Sequence, residues 1–178
     1  MKQLVYVILL MMFPFYAHSQ TEIGIEFQLY PTGLIPGLRV DQYISDRTAM
    51  HLRLGYQIID HRDLGVQDDE TGSGYGLSIG TNHYFSDSRE KWFWGLRADL
   101  WLNSIDWINE DPVNTASGTT DITVLQPTAL AGYRIPIGQQ GFITPSIAFG
   151  FEWNVKTEGE PTGEGAILLI GIHGGLRL

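Results

Sequence analysis

His51, His61, His83 and His173 are the side chains of this chain best suited to acid–base or metal chemistry. Their spacing supports neither. None lies in a His-Glu-x-x-His segment or in a paired metal-ligand spacing. Asp68-Asp69-Glu70 offers hard oxygen ligands for Ca²⁺ or Mg²⁺, but it lacks the spaced ligands of an EF-hand loop. A solvated acidic loop that attracts cations diffusely is the plainer reading. Gly72-Ser73-Gly74-Tyr75-Gly76 is glycine-rich, yet it follows a loop and opens a strand, so it is no phosphate loop. There is no cysteine, which excludes disulfides and thiolate-ligated metals. A net charge of −9 without a basic stripe speaks against nucleic-acid binding. Base, nucleophile and orienting acid cannot be assembled, so the expectation is no catalysis and no cofactor.

The elements that would position these residues are strands. Residues 1–19 read as a cleaved Sec-type signal peptide. Lys2 supplies the charge, Leu4 to Tyr16 the apolar region, and Ala17-His18-Ser19 the small residues of a cleavage site. Residues 20–178 then form one domain of eight segments that alternate apolar and polar side chains. They span about Ile23–Tyr30, Leu38–Tyr43, Met50–Ile58, Tyr75–Phe85, Trp92–Asn103, Thr123–Ile135, Ile143–Val155 and Leu168–Leu178. A Pro/Gly-rich connection, Pro31 to Gly37, joins the first two. Short turns follow segments two, four and six (Ser45–Arg47, Ser86–Lys91, Gly138–Gly141). Long polar loops follow three, five and seven, at about Asp60–Ser73, Asp106–Asp121 and Lys156–Gly165. Short turns on the side of the termini and long loops opposite are the habit of membrane barrels. Pro127 and Pro145 cannot donate to a ladder, which predicts a bulge or break between strands six and seven. Ile167 and Leu169 would point inward with the polar set.

Alternation alone does not say which face is inside, and a soluble lipocalin-like barrel has eight strands too. Glycines crowd the polar face (Gly24, Gly55, Gly76, Gly80, Gly95, Gly132, Gly150 and Gly171), as a narrow lumen requires. Aromatic residues of the apolar face gather near the strand ends. Tyr56, Tyr75 and Trp153 lie toward the long loops; Phe85, Trp92, Trp94 and Tyr133 lie toward the short turns. Two such belts resemble interfacial girdles. The expectation is an all-β, eight-stranded, antiparallel up-and-down transmembrane β-barrel with a polar, charge-paired lumen.

That lumen would hold Glu26, Asp41, Asp99 and Glu152 with Arg39, Arg53, Arg97, Arg134 and Arg177. Isolated charges there are costly, so they should pair, Arg97 with Asp99 or Glu152. The network would either line a pore or plug it, and eight strands leave room for little more than side chains. The long loops and their flanks carry twelve acids, Asp63 and Asp111 among them, against two bases.

In this arrangement, and in its last strand Leu168-Leu-Ile-Gly-Ile-His-Gly-Gly-Leu-Arg-Leu178, the chain resembles the small eight-stranded outer-membrane barrels, the OmpX-like and OmpA-transmembrane-like proteins. The resemblance spans Thr21 to Leu178. It implies residence in the outer membrane of a Gram-negative bacterium. It also implies lipid and lipopolysaccharide neighbours (bridged through divalent cations where loops are acidic), insertion by the barrel assembly machinery, and a monomer. Family members commonly end in an aromatic residue, and this chain ends in Leu178. Outer-membrane lipid A deacylases carry a His-x-Ser step, which no histidine here has. The helix that precedes the barrel of lipid A palmitoyltransferases is likewise missing. The role implied is non-catalytic: adhesion, envelope integrity or docking of an unidentified protein at acidic loops. The alternative is a narrow pore for water, ions or small solutes. A lipid-modifying enzyme and a soluble periplasmic binding barrel are the remoter readings.

Overall fold

A computed structural model describes residues 20–62, 66–110 and 115–178. The expected signal peptide, Asp63 and Asp111 lie outside these residues. Eight antiparallel strands close into one barrel in sequential order: β1 (Thr21–Tyr30), β2 (Gly33–Tyr43), β3 (Thr48–Arg62), β4 (Asp69–Tyr84), β5 (Lys91–Glu110), β6 (Thr115–Ile137), β7 (Gly141–Glu158) and β8 (Gly165–Arg177). The seam is β1 against β8, from Glu22↔Arg177 to Leu29↔Ile170. Every strand is hydrogen-bonded on both sides within the ring, so the barrel wall has no open edge.

Alternation does what the sequence led us to expect. Ile25, Leu38, Leu54, Leu77, Leu100, Phe149 and Ile170 stand on the outer surface, and Arg39, Arg53, Asp99 and Gln126 are buried inside. Along β5 the outward apolar run extends from Trp92 to Leu102. Ten residues of tilted strand rise about 25 Å, the height of a bilayer's apolar band. Two aromatic belts bound it. Trp92 packs on Tyr133 at the end that carries the termini, with Phe85 and Trp94 alongside; Tyr56 packs on Tyr75 at the far end, with Trp153 just below. Among the described residues no helix is long and apolar enough to cross a membrane.

The connections differ from expectation. Only Pro31 and Thr32 separate β1 from β2, because the Gly33–Gly37 stretch is already strand and turns Ile35 into the lumen. The stretches read as long loops are mostly ladder. β3 and β4 pair as far as Arg62↔Asp69, and β5 and β6 as far as Glu110↔Thr115. Beyond the apolar band a strand's outer face turns polar, so its sequence loses the alternation while its backbone keeps pairing. The third loop shrinks to residues 159–164.

Proline leaves the expected mark on the ladders. Pairing lapses between β2 and β3 at Ile35 and Pro36, and between β6 and β7 at Gln126 and Pro127 and again opposite Pro145. A register shift falls at Thr123/Val124, where β7 carries the extra residue Val155. The bulge thus sits near Pro127 and above it.

The lumen is charge-paired in its middle and toward the termini, but apolar toward the far end. There Ile35, Trp101, Leu169, Ile59, Ile105, Ile122 and Val124 are buried together with Ile167. The expected charge-paired lumen thus fills the middle and lower layers, with Ile167 and Leu169 inward as anticipated; the further apolar side chains at the far end follow from closure, since in a cylinder filled by its own side chains inward positions are core positions, whatever their polarity.

Candidate functional site

Two regions carry the residues that could act: the lumen and the strand extensions at the far end.

In the lumen, Glu26 of β1 accepts from three guanidinium groups. Arg39 Nη1 lies 2.8 Å from its Oε2, and Arg53 Nη1 and Arg97 Nη1 each lie 3.2 Å from its Oε1. Arg39 also holds Asp41 at 2.6 Å, and Asp99 bridges Arg53 at 2.9 Å and Arg97 at 2.8 Å. Three carboxylates thus balance three guanidiniums. Gln28 and Ser78 fill the remaining valences: Gln28 Oε1 accepts from Arg53 at 2.6 Å and from Arg97 at 3.1 Å, and Ser78 donates to Asp99. Arg39 Nη2 donates to His51 Nδ1 at 3.1 Å. Toward the termini, Glu22 binds Arg134 Nη2 at 2.6 Å and lies 3.4 Å from Arg177 Nε. Arg134 also donates to Tyr43 and stacks 3.7 Å from the Phe142 ring centroid. Low-dielectric surroundings make each such group costly when unpaired and well held when paired.

Of the nine expected lumen residues, six form the central cluster and two, Arg134 and Arg177, form the lower one. Glu152 joins neither and makes no ion pair among the described residues. It stands on β7 beside the lapse of the β6–β7 ladder at Gln126 and Pro127, four strands on from Arg53, and reaches none of the cluster's guanidiniums. The pairing of Arg97 with Glu152 is therefore corrected to Arg97 with Asp99 and Glu26. Glu22 and Trp101 were missed. Trp101 alternates regularly between Leu100 and Leu102, so its inward direction was available from the period alone. Its indole N–H donates to Gln126 Oε1 at 2.8 Å, and it is 0% exposed.

The glycines explain how so much fits. A Cβ on Gly55 would meet Trp101 Cη2 at 2.8 Å, and one on Gly76 would overlap the same indole. The ring lies flat against bare backbone of β3 and β4, and only glycine leaves that room.

At the far end, the acidic run does not converge on a cation. Glu70 is 0% exposed and faces inward. Its Oε1 accepts from the amides of Val66 (3.0 Å) and Gln67 (3.2 Å), and its Oε2 from His61 (3.1 Å) and the amide of Gly163 (3.4 Å). Burial raises its carboxyl, but these hydrogen bonds, His61 foremost, outweigh burial and hold it below the usual carboxylate range. Asp68 caps the amide of Glu110 at 2.8 Å, and Asp69 pairs in the ladder with Arg62. With its lone pairs engaged, Glu70 is a clasp between the β3–β4 tip and the β7–β8 loop rather than a ligand. Among the described residues no group of three His, Asp or Glu is placed to hold a metal ion. Gln67 adds to the clasp by donating to the carbonyl of Pro161 at 3.0 Å, and Thr120 by donating to that of Glu160 at 3.0 Å.

Among the described residues no histidine meets both a hydroxyl and an acid. His83 contacts Thr48 Oγ1 at 3.1 Å, His61 contacts Glu70, His51 contacts Arg39, and His173 Nε2 lies 3.9 Å from Asp41. A Ser/His/acid relay is absent among the described residues.

Above the barrel, β5 stays paired with β4 as far as Asp69↔Ile108 and with β6 as far as Glu110↔Thr115, so β6 becomes the edge of this extension. Pairing of β6 with β7 begins only at Asp121↔Glu158, so Thr115–Thr119 is bonded to β5 alone. Trp107 braces the extension: its indole donates to Thr120 at 3.2 Å, and its ring covers Gly118.

No family model matches the chain, and no curated protein matches it by sequence. Solved structures do match its fold. A major outer membrane protein from Thermus thermophilus superposes with a TM-score of 0.60 at 11% identity, covering 91% of this chain and 100% of that one. Ail, the attachment invasion locus protein of Yersinia pestis, solved with the heparin analogue sucrose octasulfate, gives 0.53 at 10% identity, covering 90% and 97%. The chain therefore has the fold of the small eight-stranded outer-membrane barrels.

Proposed function

We propose that this chain is an integral outer-membrane barrel with a sealed lumen, non-catalytic, that docks a protein partner at the β6 edge of its far-end strand extension. The apolar band and its aromatic belts support residence in a membrane. The short turns beside the termini support the orientation in which the far end is extracellular.

The observation that carries the docking role is the unpaired β6 edge, Thr115–Thr119. Proteins usually blunt such an edge with lysine, proline or a bulge. Thr-Ala-Ser-Gly-Thr contains none of these. Its small uncharged side chains admit an extended segment of another chain, which would add a strand through main-chain hydrogen bonds. Around it stand Asp106, Glu110, Asp121 and Glu158, so the preferred partner segment is basic.

The test is a peptide array probed with the refolded barrel, followed by amide hydrogen exchange at Thr115–Thr119. A captured basic peptide should slow exchange at those amides, and Ser117→Lys with Thr119→Lys should abolish capture while the barrel stays folded. Capture that leaves these amides unprotected refutes docking at this edge.

A further inference from the structure

The end of the lumen that carries the termini holds one more guanidinium than its carboxylates neutralise. In the central cluster acids and guanidiniums balance. Below it, Arg134 and Arg177 share the single carboxylate of Glu22, and both converge on one oxygen, Oε1, at 2.6 and 3.4 Å. The other oxygen accepts from the Tyr43 hydroxyl at 3.4 Å. Among the described residues no other acid pairs with either guanidinium. Excess charge in surroundings of low dielectric is costly, and Arg134 is only 2% exposed.

Idle donors mark the same sector. Arg134 Nε and Arg177 Nε are buried and have no hydrogen-bond partner, and Thr144 Oγ1 is a third such atom. Thr144 stands across from Arg134, between the pairs Gly132↔Ser146 and Ile135↔Ile143, where the β6–β7 ladder lapses. The three side chains come from neighbouring strands, β6, β7 and β8. The sector opens toward the termini, since the Arg177 side chain is 23% exposed. Arg89 reaches over the same mouth from the turn between β4 and β5. Its guanidinium lies 4.3 Å from the Tyr43 ring centroid and donates to Gln20 Oε1 at 3.0 Å and to the carbonyl of Asp46 at 3.1 Å. Tyr43 thus carries Arg89 on its ring and meets Glu22 and Arg134 at its hydroxyl. The Asp46 carboxylate, 3.6 Å from Arg89, is almost wholly exposed, so water and salt screen it.

We propose that this mouth binds a free carboxylate. Charge selects a monoanion, because one positive charge is in excess. Shape selects a planar oxyanion, because a guanidinium edge presents N–H groups that a two-oxygen group meets and a spherical ion does not. The carboxylate accepts from the idle Nε–H groups of Arg134 and Arg177 and from the Thr144 hydroxyl. Arg89, at the rim, draws it in from solution. The site uses neither the direction in which the barrel faces nor the β6 edge, so it stands or falls apart from the docking role.

The experiment is an NMR titration of the refolded protein in detergent micelles, with nitrogen-15 arginine followed at the guanidinium Nε–H resonances in low-salt buffer near neutral pH. A heat-modifiability gel first shows that the barrel is formed. Sodium formate should shift two of these resonances along one saturable curve. Arg177→Gln identifies one of them by its loss, and should weaken formate binding at the other about tenfold, the worth of one charge-assisted contact. Arg89→Gln, which changes only the turn at the rim, should weaken the response of both. Thr144→Val should weaken it with the charge unaltered. Sodium chloride at the same concentrations should produce no saturable shift. No saturable response to formate, an equal response to chloride, or an undiminished response in the folded Arg177→Gln and Arg89→Gln variants overturns the site and leaves the barrel reading intact. A protein that shows no heat-modifiable form overturns the barrel reading itself.

Discussion

The lumen residues divide into those whose removal strands a charge and those whose removal leaves a space. Arg97 belongs to the first kind. It touches Asp99 and Glu26, both buried, and Arg97→Ala would leave Asp99 with Arg53 as its one remaining guanidinium. The expected loss is about 3–5 kcal/mol, read from urea unfolding of the barrel in lipid vesicles. An unchanged midpoint would show that the Arg97 contacts contribute nothing net. Glu70 is the corresponding residue outside the membrane. Its carboxyl is held below the ordinary value of 4.5, so it favours the folded clasp wherever it is ionised. That contribution is complete above the unfolded carboxyl's pKa and is lost as the pH falls through the lower, folded one. The amide resonances of Val66 and Gln67 should stay constant from neutral pH down to pH about 5 and move only in more acid solution. Glu70→Gln should remove that titration and loosen the β3–β4 tip at every pH.

At the scale of the elements, β4 and β5 are matched by a cavity in one and a knob in the other. A methyl group at position 76 has no space beside the Trp101 indole. Gly76→Ala should therefore destabilise the barrel by about 1–3 kcal/mol, and Trp101→Leu should recover part of that loss in the double variant. A simple sum of the two single losses would mean that the ring and the glycine are not coupled. These same strands show what a sequence can and cannot convey. Within the apolar band, each residue of β5 from Trp92 to Leu102 declares its face, because an apolar outer surface and a crowded lumen impose opposite demands. From Ser104 onward water lies on the outer side, the demand disappears, and a hydrogen-bonded strand reads as a polar loop. The prolines were legible in kind, since a missing donor must interrupt a ladder. The position of the bulge at Val155 was not, because it depends on both strands at once.

For the molecule as a whole, the proposal of a sealed lumen rests on how the interior is filled. Two salt-bridged layers and an apolar layer follow one another, and Trp101, Arg53, Arg134 and Tyr84 are all buried. Refolded protein in planar bilayers should give no stable conductance steps; salt-dependent steps would require the Glu26 cluster to open. The individual lumen charges could be named from the chain because their faces were known. Their partners could not. Partnership across a tilted cylinder depends on the stagger of the rows and on where ladders lapse, as the β6–β7 ladder does beside Glu152. The unpaired β6 edge was invisible for a similar reason: it is a difference in length between neighbours.

The protein also carries its own optical record of assembly. Trp92, Trp94 and Trp153 face outward at the two edges of the apolar band, whereas Trp101 is enclosed by backbone of β3 and β4 and bonded to β6. Insertion into lipid changes the surroundings of the first three. Only mutual alignment of β3 to β6 creates the surroundings of the fourth. In a protein that keeps Trp101 as its sole indole, the emission shift times the closing of the wall; with Trp101 and Trp107 both replaced by phenylalanine, it times entry into the bilayer. The interval between the two traces would measure how long the sheet lies in the membrane before it becomes a cylinder.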